Sequence, residues 1–328
     1  MSSDIKSQIL ALVSQDLEQV EKALAENLDP NLELVREIAS HLLFSGGKRL
    51  RPLLMIHSAR MCGYSSGFEI LFSIIFEYLH AATLLHDDVV DEADMRRGKK
   101  TAHTKWSAPK VVLTGDFLLA RALAIAAQTL EPRVISVIAN ITQAMSQGEI
   151  DQLDKKGRKD LSEAEYLEII ERKTAVLIQG ACQSGAIIAK VSPEKEKTLA
   201  SYGYHLGMAF QMADDLLDYT ATAEELGKNP GADYREGKLT LPLIYSLSKA
   251  SSKDRERMLQ VISEPVFDKD QFEELKEKLT DLGGISYTLE RAEYHVEKAK
   301  SLLGVFVDGS DSKSLLHLIA DYSIQRKV

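Results

Sequence analysis

Apolar residues return every three to four positions along almost the whole chain, and the strict alternation of a half-buried strand is hardly seen. The pattern predicts helices near 3–27, 32–44, 50–62, 68–91, 108–130, 133–153, 163–190, 193–220, 239–250, 253–263, 269–282, 285–305 and 312–325. Start signals sharpen several of them. Ser162 with Glu165 forms a capping-box pattern, Ser192 stands ahead of Pro193 at a first helical position, and Asp311 is placed to cap the last helix. Breaks fall at Ser45-Gly46-Gly47, Gly98 and Asn229-Pro230-Gly231. No linker or shift of composition divides the chain, so the pattern predicts one all-α domain over residues 1–328. The central helices are long and mostly apolar, as expected of an interior bundle ringed by shorter helices.

Two acidic triplets interrupt these apolar stretches 127 positions apart: Asp87, Asp88 and Asp91, then Asp214, Asp215 and Asp218. On a helix, positions i and i+4 share a face one turn apart. Carboxylates that close repel unless a cation holds them, and their oxygens are natural ligands for Mg²⁺, which also takes substrate phosphates. One such cluster fits a solvated acidic face equally well. Two, each inside an apolar helix, point to facing halves of a metal–polyphosphate site.

Basic residues flank both clusters. Gly46-Gly47-Lys48-Arg49-Leu50-Arg51-Pro52 supplies three cations at a helix start, where backbone N–H groups add affinity for anions. His80 lies close to two turns before Asp87. Arg96 and Arg97 follow the first cluster and offer guanidiniums to phosphate oxygens. Lys173-Thr174 places a charge and a hydroxyl inside the helix over 163–190, Gln211 precedes Asp214 by one turn, and Lys228 and Lys238 bracket a polar loop after the second cluster. Six aspartates require several divalent ions. Those ions, with Lys48, Arg51, Arg96, Arg97, Lys173 and Lys238, suffice for two diphosphates, one as a leaving group and one anchoring a second substrate.

Bulk properties narrow the setting. The chain has 328 residues, 45% of them hydrophobic, enough for a substantial core. A net charge of −9 gives no general attraction to nucleic acid or anionic membrane, so no nucleic-acid partner is expected. Cys62 and Cys182 are the only cysteines and have neither metal nor disulfide spacing, which suits a cytoplasmic location. The N-terminal 19 residues look like an acidic amphipathic helix rather than a signal peptide. No run of about 20 uncharged apolar residues is present; the nearest, Val111 to Ala127, is interrupted by Asp116 and Arg121, and no transmembrane segment is expected.

Over essentially its whole length the chain resembles the trans-isoprenyl diphosphate synthases. The matching segments are GGKRLRP (46–52), EYLHAATLLHDDVVDEADMRRGK (77–99), GDFLLARA (115–122), ERKTA (171–175) and FQMADDLLDYTATAEELGKNPGADYREGKLTLPL (210–243). The resemblance implies an antiparallel helical bundle around a deep central cavity, a homodimer, and sequential head-to-tail condensation of isopentenyl diphosphate onto an allylic diphosphate with Mg²⁺, three ions being the expected complement. It implies that Asp87, Asp88, Asp91 and Asp214 bind the metal on the allylic diphosphate, with Asp215 and Asp218 completing or supporting the second cluster. Arg96, Lys173, Thr174, Gln211 and Lys238 match allylic-substrate contacts. Lys48, Arg51, His80 and Arg97 match the isopentenyl diphosphate site. The resemblance also suggests that released pyrophosphate takes the proton, since no strong side-chain base stands in the apolar region.

The growing tail is expected to run back from Asp87 past Thr83 and Ala82, then Leu79, then Phe76. One helical turn rises about 5.4 Å, the scale of an extended isoprene unit. Short-chain synthases place bulky aromatics one turn before the first acidic cluster. Here Ala82 and Thr83 are small, and the opposing helix offers Ile135, Ile138 and Thr142, which favours a long product of the octaprenyl type over a geranylgeranyl- or farnesyl-length one. Other readings fit less well. A terpene cyclase needs no second diphosphate site, a non-catalytic subunit of a heteromeric synthase typically loses an acidic cluster, and a di-iron bundle needs Glu-x-x-His pairs, none of which is expected here.

Overall fold

A computed structural model describes residues 2–96, 98–221, 231, 235–263 and 268–325; Arg97 and Lys228, both expected at the site, lie outside that set. The chain is helical almost throughout. Helices α1 (Ser2–Asn27), α2 (Glu33–Leu43), α3 (Leu50–Met61) and α4 (Glu69–Val90) precede a two-residue hairpin, β1 (Met95–Arg96) with β2 (Lys99–Lys100). Then follow α5 (Ala102–Lys105), α6 (Ala108–Gln128), α7 (Pro132–Lys155), α8 (Glu163–Ile170), α9 (Val176–Ile188) and α10 (Pro193–Thr220). Among the described residues five more follow: α11 (Leu241–Lys249), α12 (Ser252–Ser263), α13 (Lys269–Asp281), α14 (Gly284–Leu302) and α15 (Asp311–Gln325).

The periodic pattern locates these helices closely, with three differences. The paired strands β1 and β2 and the helix α5 were not expected, being too short to carry a period. The stretch over 163–190 is not one α-helix: Glu171–Ala175 is a π-turn between α8 and α9. At the last helix Asp311 lies within the first turn, and the cap is Ser310, whose Oγ accepts from the Lys313 N–H at 3.2 Å. The capping box forms as expected, with Glu165 N–H donating to Ser162 Oγ and Ser162 N–H donating to Glu165. Ser192 precedes Pro193, although its side chain makes no capping bond.

Three apolar clusters build the interior. Helix α9 contributes to two of them, with Leu177 and Ala181 facing one and Ile178 and Cys182 the other, and α10 joins the second to the third. The approach of α10 to α9 is unusually close. A Cβ on Gly203 would stand 2.7 Å from Gln179 Cα, and one on Gly207 would stand 2.5 Å from Ala175 Cα. Glycine there costs helix propensity, roughly 1 kcal/mol each, and allows backbone-to-backbone packing that no other residue permits.

Among the described residues α4 and α6 are long and apolar enough to cross a membrane by length and composition, although charged residues interrupt both. Helix α4 is explained by the bundle, since 67% of its most apolar window is buried. Helix α6 is only 39% buried and leaves Leu113 and Leu123 on the outside.

Between α10 and α14, His205 Nδ1 and His295 Nδ1 lie 2.9 Å apart, so one ring donates and the other accepts. Burial pushes the His295 pKa down to about 4, with His205 and Arg291 adding to the effect. Its unfolded value is about 6.5. The folded pKa is depressed, so the stability this neutral ring confers is present above pH 6.5 and is lost as pH falls toward 4. Acidification from pH 7 to 4 should cost the protein about 3 kcal/mol through this residue, and denaturant titrations should find that component missing in His295→Gln.

Candidate active site

One cavity of about 1140 Å³ runs through the bundle and gathers most of the residues singled out in the sequence. Asp87 from α4, Asp91 immediately after its last residue and Asp214 from α10 line it together, so the two acidic clusters do face a common space. Lys48, Arg51, His80, Arg96, Lys173, Thr174, Gln211 and Lys238 line it as well. Lys238 reaches the first cluster: its Nζ is 3.6 Å from Asp91 and 2.6 Å from Glu236.

The remaining three aspartates point elsewhere. Asp88 is 1% exposed and accepts from Arg96 Nε at 2.7 Å. Asp218 is likewise buried. Asp215 is 3% exposed; its Oδ2 accepts from the Tyr166 hydroxyl at 2.6 Å and its Oδ1 from Gln211 Nε2 at 2.8 Å. Helical geometry accounts for Asp88 and Asp215, because a residue at i+1 is turned about 100° from its neighbour and here meets packed helices instead of the cavity; Asp218, one turn beyond Asp214, is buried where α10 has passed the cavity lining.

Arg49 also differs from expectation. It was counted among the anion-binding cations, yet it is 3% exposed and its guanidinium is turned inward. Nε donates to Glu21 at 2.6 Å, Nη1 to Glu77 at 2.7 Å and Nη2 to the Leu43 carbonyl at 2.6 Å. This clamp joins α1, the end of α2 and α4, and holds Arg49 in the left-handed region (φ 47°), a conformation that disfavours a residue with a Cβ by about 1–2 kcal/mol. The sharp turn places Lys48 and Arg51 at the cavity. Lys48 Nζ sits 5.3 Å from the centre of the Tyr322 ring on α15. Glu77 with His80 does make one Glu-x-x-His pair, against the expectation of none; its glutamate is committed to Arg49 and the sequence holds no second pair, so a di-iron site is still unsupported.

The π-turn carries Lys173 and Thr174. Lys173 Nζ meets Glu149 at 2.7 Å and Gln152 at 2.6 Å, and Thr174 donates its hydroxyl to Gln211 Oε1 at 2.7 Å. Glu149 lines the cavity and escaped the sequence reading. A signal for it existed: Gly148 sits in mid-helix, and a Cβ there would lie 2.7 Å from Arg172 Cβ and 3.2 Å from the Lys173 nitrogen, marking where α7 crosses the π-turn.

Electrostatics and donor chemistry agree on what this end of the cavity suits. Burial raises the Asp87 pKa to about 6; Lys173 pulls it down, while Glu149 and Asp91 push it up. Burial raises Asp88 too, in spite of Arg96. Oxygen-only donors whose charge is disfavoured without a counter-ion fit a hard divalent cation such as Mg²⁺.

The apolar wall is partly as expected. Leu79, Ala82 and Thr83 of α4 line the cavity, while Phe76, one turn further back, is fully buried in the core. From α7 the wall takes Ile141, Thr142 and Met145; Ile138 is core, and Ile135 faces outward at 39% exposure. Leu119 and Phe210 are also part of it.

A polyprenyl synthetase family profile matches residues 32–279. The chain belongs to the polyprenyl synthetase family. Among curated relatives, the octaprenyl diphosphate synthase of Escherichia coli is 37% identical over 96% of this chain and 97% of its own. Among solved structures, a polyprenyl synthase from Caulobacter crescentus CB15, complexed with calcium and isoprenyl diphosphate, superposes with a TM-score of 0.92 at 36% identity over 98% of each chain. A geranylgeranyl pyrophosphate synthetase from Pyrococcus horikoshii superposes almost as well, with a TM-score of 0.90 at 29% identity over 98% of this chain and 99% of that one. The chain is thus a trans-prenyltransferase with the all-α isoprenoid synthase fold, as the sequence motifs imply.

Because Asp87 titrates near 6 when folded and near 3.9 when unfolded, the folded state holds its proton more tightly. Stability therefore falls as pH rises from about 4 to 6. In metal-free buffer at pH 8, Asp87→Asn should be more stable than wild type by about 2–3 kcal/mol, and the difference should vanish below pH 4. Thermal melts at the two pH values measure it.

Proposed function

We propose that this enzyme condenses isopentenyl diphosphate head-to-tail onto an allylic diphosphate, in the presence of Mg²⁺, and builds a long all-trans polyprenyl diphosphate with release of pyrophosphate. The observation that carries the reading is the cavity itself. Helix α4 lines it with Asp87 at one level, beside Asp91 just past its end, and with Leu79, Ala82 and Thr83 further back, so a diphosphate held at the acids directs its hydrocarbon along the same helix. From Asp87 to Leu79 is about 12 Å of helix rise.

In this reading Asp87, Asp91 and Asp214 hold the metal, three ions being the proposed complement. The bound metal stabilises negative charge on the departing diphosphate oxygens. Lys173, Lys238, Arg96, Thr174 and Gln211 orient the allylic diphosphate, and Lys48, Arg51, His80 and Arg97 fix the isopentenyl diphosphate. The allylic C–O bond breaks, the isopentenyl alkene attacks the cation, and a proton leaves for the released pyrophosphate. Asp88, Asp215 and Asp218 act as supports. Lys228 is proposed as a further substrate contact from its place in the sequence, on the polar loop after the second acidic cluster.

Helix α9 links the first apolar cluster to the second and α10 links the second to the third, which supports one domain over residues 1–328. A homodimer is supported by the outward face of α6, where Leu113 is 66% exposed and Leu123 39%, with Ala120, Ala124 and Ala127 also exposed at helical spacing. A second copy of the same helix is a self-complementary cover for such a stripe. A cytoplasmic location is proposed from the two free cysteines and the acidic composition.

Asp87→Ala and Asp91→Ala should each lower turnover by about 10³-fold or more at saturating Mg²⁺ while leaving the fold intact; near-normal incorporation of labelled isopentenyl diphosphate by either would refute the assignment. Tail direction is tested separately. Ala82→Phe and Thr83→Phe put a ring into the cavity wall and should shift the product to a much shorter chain. Chromatography of dephosphorylated products reads the shift, and an unchanged profile from a folded, active variant would mean that the tail leaves by another route.

A further inference from the structure

Tyr166 has no place in the roles assigned above, yet its hydroxyl stands at the head of a chain of hydrogen bonds that ends in the cavity. The residue is 3% exposed, on α8, and donates to Asp215 Oδ2 at 2.6 Å. Asp215 Oδ1 accepts from Gln211 Nε2 at 2.8 Å, and Gln211 Oε1 accepts from Thr174 Oγ1 at 2.7 Å. The direction of the chain follows from chemistry. A carboxylate only accepts, so Gln211 turns its nitrogen toward Asp215, which leaves its oxygen toward Thr174 and commits the threonine proton. Gln211 and Thr174 both line the main cavity, whereas Asp215 and Tyr166 line only a smaller one of about 120 Å³ beside it.

We propose that Tyr166 is a positioning residue for the allylic-diphosphate site: its hydroxyl fixes Asp215, and Asp215 in turn orients Gln211 and Thr174. The inference rests on the reading of Lys173, Thr174 and Gln211 as allylic-diphosphate contacts. Both Asp215 oxygens are engaged by neutral donors from two different helices, α8 and α10. That arrangement holds a carboxylate as a fixed post. Without the phenol, that oxygen loses the donor supplied by α8, and the carboxylate fixes Gln211 less firmly. The Tyr166 ring itself packs in the cluster with Ile170, Met208 and Met212, so a phenylalanine keeps the packing and removes one oxygen atom.

Steady-state kinetics on Tyr166→Phe, with calorimetric binding of a non-ionising thio analogue of the allylic diphosphate in Mg²⁺, test the idea. Removal of a supporting hydrogen bond of this kind typically costs 10–100-fold. The allylic KM and the Kd of the analogue should therefore rise about tenfold or more, with a comparable fall in kcat, while the KM for isopentenyl diphosphate stays within twofold. In an Asp215→Asn background the same substitution should add nothing, because the chain is already broken. Allylic KM and analogue Kd within twofold of wild type would overturn the proposal, as would equal rises in both substrates' KM values, which indicate general loosening. Lys173→Ala serves as the control. If it leaves the allylic KM unmoved, the reading of the site fails and takes the inference with it; if it raises that KM while Tyr166→Phe does not, the inference alone fails.

Discussion

The contact on which the rest depends is the meeting of two backbones, α10 against α9 and the π-turn. Gly203, Gly207, Gln211 and Asp215 follow one another at four-residue spacing along α10, so they form a single ridge. The first two have no side chains and let the helices touch. The next two occupy the same ridge where the partner helix has become the π-turn and α8, and there they find Thr174 and Tyr166 within hydrogen-bonding distance. A helix pair spaced at the usual 8–10 Å by larger side chains would not bring those groups together. Helix packing thus determines the position of polar atoms more than a turn away.

The acidic residues are dealt with in two ways, and the contrast separates structure from chemistry. Buried Asp88 and Asp215 are given donors from the protein itself, Arg96 in one case and Tyr166 with Gln211 in the other. Asp87 is left in a site where its own charge is disfavoured. Local destabilisation of that kind is typical of functional positions, where the surrounding fold sustains an unfavourable group. Arg49 is part of what sustains it: a guanidinium buried among two carboxylates and a carbonyl fixes the turn between α2 and α3 against its own backbone preference.

Much of this was legible in the sequence, for identifiable reasons. Helices of more than two turns announce themselves by period, and the two aspartate triplets by their setting in apolar runs. Three kinds of information were not there to read. The first is the local winding of a helix, since a π-turn at Glu171–Ala175 shifts no hydrophobic position far enough to disturb the pattern. The second is the direction of a side chain at a helix start, so Arg49 looks like its neighbours Lys48 and Arg51 until its partners on α1 and α4 are known. The third is which helix faces which: Ile135 and Ile138 are as apolar as Ile141, and only the crossing of α7 over α9 decides that Ile141 meets the cavity while Ile135 meets solvent.

The small residues at Ala82 and Thr83 border the cavity on one side, although Ala82 also packs in the first apolar cluster. In a filled core each change of volume must be matched by a neighbour, and such positions change in concert or not at all. A position at the edge of a void is released from that coupling in one direction, because added atoms displace nothing that holds the fold. Single substitutions can then accumulate there without compensating ones elsewhere. Lineages that share this scaffold are free to diverge in the depth of the cavity far faster than in the helices that enclose it.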